Sequence, residues 1–166
     1  MRPRGLAGGC LALVLAGGLA ASGEPAWRPI EGSWSVSGHR LAVPVEGGAE
    51  AAIVDVSGAV LLSTGEGLSR GFQGRALGFA DGQGLAVGRC VWTDENGDRI
   101  FSRLRGEPIG TGKRLLGTIT GGTGRYAGLE GEFALVWQYV VPGEDGLIQG
   151  RAVKLTGQVR QRSPQP

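Results

Sequence analysis

The stretch from Gly117 to Gly157, GTITGGTGRYAGLEGEFALVWQYVVPGEDGLIQGRAVKLTG, constrains the fold more than any other part of the chain. Gly121, Gly122, Gly124 and Gly128 crowd together where a backbone needs positive φ or close contact with its neighbours, a pattern that ends one strand and re-aims the next. From Phe133 the side chains alternate. Phe133, Leu135, Trp137, Tyr139 and Val141 share one face, and Glu132, Ala134, Val136, Gln138 and Val140 share the other. The expected order is strand, glycine turn, long strand, loop and final long strand, with the bulky face against a core or a ligand cavity.

Glycine supplies 33 of the 166 residues, a share that would suggest disorder if no regular alternation lay between the glycines. Spaced along strands, they fit a tightly bent sheet, where they relieve crowding and let strands coil. About eight strand-like segments follow one another at the spacing of an all-β barrel or sandwich. Among them Ala51 to Ser63 sets Val54, Val56, Val60 and Leu62 in step, with a bend at Gly58, and Gly71 to Ala80 precedes a turn at Asp81-Gly82-Gln83-Gly84.

The first residues read as an address. Arg2 and Arg4 precede a short apolar run, Leu6 to Leu19, and Ala20-Ala21-Ser22 offers small residues for cleavage, so residues 1–22 are expected to be a signal peptide. The run is too short for a comfortable bilayer span, and Cys10 lies ahead of most of it, where a lipid-modified cysteine would follow. Residues 23–30 are then an irregular entry, 31–160 the barrel and 161–166 a disordered tail, and the protein is secreted or periplasmic with no stable membrane anchor. The whole chain carries 17 basic and 15 acidic side chains, so loss of Arg2 and Arg4 brings the formal charge to zero. No basic run interleaved with aromatics singles out nucleic acid. Cys90 alone survives cleavage, which rules out an internal disulfide.

Asn96-Gly97 marks a hairpin, because this pair favours a two-residue type I′ turn in which both residues take positive φ. That turn sets Trp92 opposite Phe101, Cys90 opposite Arg103 and Gly88 opposite Arg105. Cys90, Trp92, Phe101 and Arg103 then share one face, and Arg89, Val91, Ser102 and Leu104 share the other. Either face can line the inside. The alternative places Val87, Val91, Ile100 and Leu104 there and leaves Arg103 in solvent.

The run Ile119-Thr120-Gly121-Gly122-Thr123-Gly124-Arg125-Tyr126-Ala127-Gly128, with Gly131-x-Phe133-x-Leu135, Gly150 and Leu155-Thr156-Gly157, resembles the C-terminal half of plant allene oxide cyclases, and Gly88-x-Cys90-Val91 is similar to a strand of that family. The resemblance covers the last half of the chain. It implies an all-β fold, an eight-stranded antiparallel closed β-barrel shared with dirigent proteins, here in a bacterial-type exported member, and a homotrimer. It also implies that Cys90 points into the cavity, which would bring Trp92, Phe101 and Arg103 with it. Combined with the long alternating strand, this gives a candidate lumen of Cys90, Trp92, Phe101, Arg103, Phe133, Leu135, Trp137 and Tyr139.

Other chemistry finds little support in the residues. His39 is the only histidine and has no cysteine cluster beside it, so no metal site is expected. Gly32-Ser33-Trp34 lacks the second glycine of a nucleophile elbow, and the glycine turn lacks the lysine of a phosphate-binding loop. Asp94 and Glu95 read as solvated charges at a hairpin tip, and Cys90 as a buried, inert thiol. The favoured expectation is a barrel without cofactor that binds a small apolar or fatty-acid-like ligand, or serves as a non-catalytic interaction module. The alternative is an isomerase or cyclase acting on a fatty-acid-derived epoxide, although the early-strand glutamate and proline that the family uses have no match here.

Overall fold

The computed structural model describes residues 25–162, so the expected leader lies outside the described residues. Nine strands follow in order: β1 Arg28–Pro44, β2 Glu50–Thr64, β3 Gly71–Ala80, β4 Ala86–Thr93, β5 Arg99–Gly106, β6 Arg114–Gly122, β7 Leu129–Val136, β8 Tyr139–Pro142 and β9 Leu147–Gln161. Each of β1 to β6 pairs antiparallel with the next, β7 pairs with β9, and β9 returns to β1. The sheet is therefore a closed barrel of eight antiparallel strands, and β8 is an extra strand on the free part of β9. The expected fold class is the one found. β1 begins at Arg28, within the stretch expected to be irregular, because its first residues pair with Val159 and Gln158. Gln161 likewise belongs to β9 and not to a loose tail, and the Arg162 amide donates to the Gly128 carbonyl at 3.0 Å.

Period-two alternation sends one side of every strand inward. Ile30, Trp34 and Val36 of β1, Val56, Val60 and Leu62 of β2, and Ala152, Leu155 and Val159 of β9 are all buried. Aromatic rings fill one half of the lumen as a connected series. Tyr126 meets Phe72 at 5.8 Å between centroids, Phe72 meets Trp92 at 5.9 Å, and Trp92 meets Phe133 at 4.9 Å, all tilted as ring quadrupoles prefer.

The hairpin between β4 and β5 departs from the expected turn. Only Gly97 has positive φ, at 84°. The Asp94 amide donates to the Asp98 carbonyl and the Gly97 amide to the Asp94 carbonyl, which makes a type I turn closed by a glycine bulge. The cause is Asp94, whose Oδ1 accepts from the amides of Asn96 at 2.9 Å and Asp98 at 3.0 Å and holds the chain in that form. The extra residue moves the register by one. Trp92 now faces Ile100, Cys90 faces Ser102 and Gly88 faces Leu104, while Val91 faces Phe101 and Arg89 faces Arg103. Cys90, Trp92, Ile100 and Leu104 point inward, so each of the two expected faces is correct for one strand of the hairpin and wrong for the other.

Candidate functional site

Inward side chains grade from large to small along the barrel. On β3 they run Phe72, Gly74, Ala76, Gly78, Ala80, and on β4, read in the same spatial direction, Trp92, Cys90, Gly88, Ala86. The half with large residues is packed. At the other mouth the small residues leave a cavity of about 70 Å³ that opens to solvent. Ala52, Ala76, Ala80 and Ala86 line its side, and Val56, Leu104, Leu115, Trp34 and Trp137 lie deeper. Trp34 and Trp137 touch at 5.9 Å. Its lining is mostly apolar with a few polar groups, the make-up of small-molecule sites, and its volume admits only a small molecule or the end of a longer one.

Two charged residues stand at this mouth. Arg40 Nη2 donates to Glu50 Oε2 at 2.8 Å. Glu107 accepts from Lys113 Nζ at 3.0 Å and from the Arg114 amide at 3.2 Å, and these donors hold its carboxyl below the usual glutamate value. An ionised, paired glutamate is a poor general acid. Arg40 is the cation that borders the cavity.

Of the eight residues expected in the lumen, Cys90, Trp92, Phe133, Leu135 and Trp137 are buried inside the barrel. Trp137 alone of the eight lines the pocket. Phe101 and Arg103 are corrected to the outer face by the hairpin bulge. Tyr139 is 44% exposed because the alternation breaks after Trp137: the Trp137 amide donates to the Lys113 carbonyl but the Gln138 amide to the Arg151 carbonyl, so the chain changes partner strand and side. Burial pushes the Cys90 thiol up to about 12, and contacts with Ser102 and Trp92 offset only part of that. At neutral pH it is an inert hydrophobe.

The Asp94 side chain is buried, contrary to the reading of a solvated charge. Its Oδ2 accepts from Arg125 Nη2 at 2.6 Å and from the Tyr126 hydroxyl at 2.9 Å. Arg125 Nε and the Ser69 amide both donate to that hydroxyl, and Ser69 Oγ donates to Glu95 Oε2 at 2.6 Å. Burial alone would raise the Asp94 carboxyl. The donors from Tyr126, Asn96, Arg125 and Asp98 outweigh it and hold the group below the usual aspartate value. With its lone pairs occupied, this cluster fastens the loop before β3, the β4–β5 hairpin and the glycine turn across the packed end. It is a clasp and not a reactive site.

Sequence reasoning missed the pocket's walls, since it sought bulky residues and the site is made by small ones. The signal was the alternate-position series Gly74-x-Ala76-x-Gly78-x-Ala80 on one strand and Ala86-x-Gly88 on the next. For the clasp, the signal was an aspartate two residues ahead of Asn96-Gly97, the position from which a side chain captures turn amides.

No family model matches the chain, and no curated protein matches it. Among solved structures, the chain is similar to a dirigent protein. That structure, described as the pterocarpan synthase dirigent protein GePTS1, aligns over 91% of this chain and 98% of its own length at 14% sequence identity and a TM-score of 0.48.

Proposed function

We propose that this protein is an exported barrel that binds one small apolar molecule in the pocket at its open mouth, with the polar end of the ligand at Arg40. The observation that carries the reading is the gradation of inward side chains on β3 and β4. A barrel selected only for stability would fill both halves, because voids lose packing energy. Here alanine and glycine leave a small cavity behind an apolar lining, and a small fatty-acid-like molecule matches both that lining and the Arg40 guanidinium at its rim. The cyclase alternative of the resemblance needs an acid or base within the pocket. Its ionisable residues, Arg40 and Glu107, are both ion-paired at the rim, so binding is the better supported role. The homotrimer implied by the resemblance belongs to this proposal and is measured by sedimentation equilibrium.

Titration with a fatty acid and with a neutral alkane of similar length, followed through tryptophan fluorescence, tests the reading. Trp34 and Trp137 stand in the wall and should report occupancy saturably. Ala76→Phe should fill the pocket and abolish the response while the protein stays folded, and Arg40→Gln should weaken the fatty acid more than the alkane. Absence of a saturable response, or one unchanged by Ala76→Phe, rejects the proposal.

A further inference from the structure

The outer face of β3 to β6 carries a pattern that a ligand in the lumen does not use. Near the mouth, Phe79, Val87, Arg105 and Leu116 follow one another as cross-strand partners; one row further from it come Leu77, Arg89, Arg103 and Thr118. Phe79, Val87, Leu77 and Leu116 are 48%, 48%, 56% and 43% exposed. Arg89 and Arg103 are direct partners, and like charges directly opposite destabilise a sheet. Among the described residues neither they nor Arg105 make an ion pair. The nearby Asp55 is already held by Arg75 at 2.9 Å. Three arginines without an ion pair therefore lie among four exposed apolar side chains on the four adjacent strands.

We infer that this flank lies on an anionic lipid bilayer, with Leu77, Phe79, Val87 and Leu116 in the headgroup–acyl boundary and Arg89, Arg103 and Arg105 on lipid phosphates. A hydrated polyanion would use the arginines and leave the apolar row in water. An apolar protein partner would use the row and bury unpaired guanidinium groups at a cost. A charged lipid surface satisfies both, since amphipathic elements bind it through buried apolar area and electrostatic attraction together. Phe79 and Val87 also border the pocket, so the same contact brings its mouth to the bilayer. The inference does not depend on what the pocket holds.

Co-sedimentation of the full chain with phosphatidylcholine vesicles, with and without phosphatidylglycerol, tests it. Binding is expected only to the anionic vesicles and should weaken as salt rises. The triple variant Arg89→Ala, Arg103→Ala, Arg105→Ala should lose binding about a hundredfold, at about fivefold per arginine, whereas the triple lysine variant should keep most of it. Leu77→Ser with Leu116→Ser should weaken binding with the charge unchanged. None of these five positions lines the pocket, so failure here leaves the ligand titration unaffected. Equal affinity for both vesicle types, binding unchanged in the alanine variant, or a loss reproduced by the lysine variant overturns the inference. So does the absence of vesicle binding by a wild type whose sedimentation mass falls in the alanine variant, because the flank would then be an interface between copies of this chain.

Discussion

The ring of Phe133 lies over Gly117 on the neighbouring strand, in the space where a side chain on Gly117 would begin. An added Cβ would overlap the ring itself, so Gly117→Ala must displace Phe133, which is also in contact with Trp92. Overpacking of this kind costs about 1–3 kcal/mol. Urea denaturation should show that loss, and the double variant Gly117→Ala, Phe133→Leu should recover part of it. Additive losses would mean that the two positions do not share this space.

Tyr126→Phe removes the hydroxyl that donates to Asp94 and accepts from Ser69 and Arg125, and it leaves a buried carboxylate short of one donor. A hydrogen bond to a charged group is worth about 1.5–3 kcal/mol, and a destabilisation of that size is expected in chemical denaturation. A midpoint equal to that of the wild type would show that the clasp carries little of the barrel's stability.

The clasp also sets an acid limit. Because the Asp94 carboxyl titrates lower in the folded protein than in the unfolded chain, folding releases protons there, and its stabilisation is complete above the ordinary aspartate range. It is lost as pH falls from that range through the lowered native value. Glu95, Glu107 and Glu130 are shifted in the same direction. Thermal denaturation across acid pH should show a steeper fall for the wild type than for Asp94→Asn, which starts less stable and cannot titrate at this position. Parallel curves would contradict the assignment.

The hairpin offers a test of its turn. Gly97→Val should cost more than the roughly 1 kcal/mol of an ordinary glycine replacement, since a β-branched residue is least tolerated at positive φ. Asn96→Ala should stay within about 0.5 kcal/mol, because Asn96 does not take positive φ and its side chain faces solvent. A type I′ turn would make both substitutions costly.

The barrel was legible because its signals are local: alternation along strands, glycine where the chain turns, and dipeptides that mark hairpins. The inward placement of Phe133, Leu135 and Trp137 follows from such a pattern. Phe101, Arg103 and Tyr139 were misplaced because sheet geometry propagates small events. One bulge residue held by the Asp94 carboxylate turned every side chain of β5 over, and one change of partner after Trp137 turned Tyr139 out. Neither event leaves a mark in hydrophobic periodicity. The pocket was harder to foresee, since its position depends on which ends of β2, β3, β4 and β6 lie together, and that is a property of register more than of any one strand.

β9 pairs with β1, β7 and β8 over a strand of 15 residues at the end of the barrel. The first strand thus keeps one edge without a partner until the last has been synthesised. Such closure depends on contacts between the two extremes of the chain, the kind that makes folding slow. A nascent chain stopped before Leu147 would present an open, adhesive sheet instead of a smaller barrel, so loss of the final strand is expected to send the protein to aggregation or proteolysis and not to a weaker version of itself.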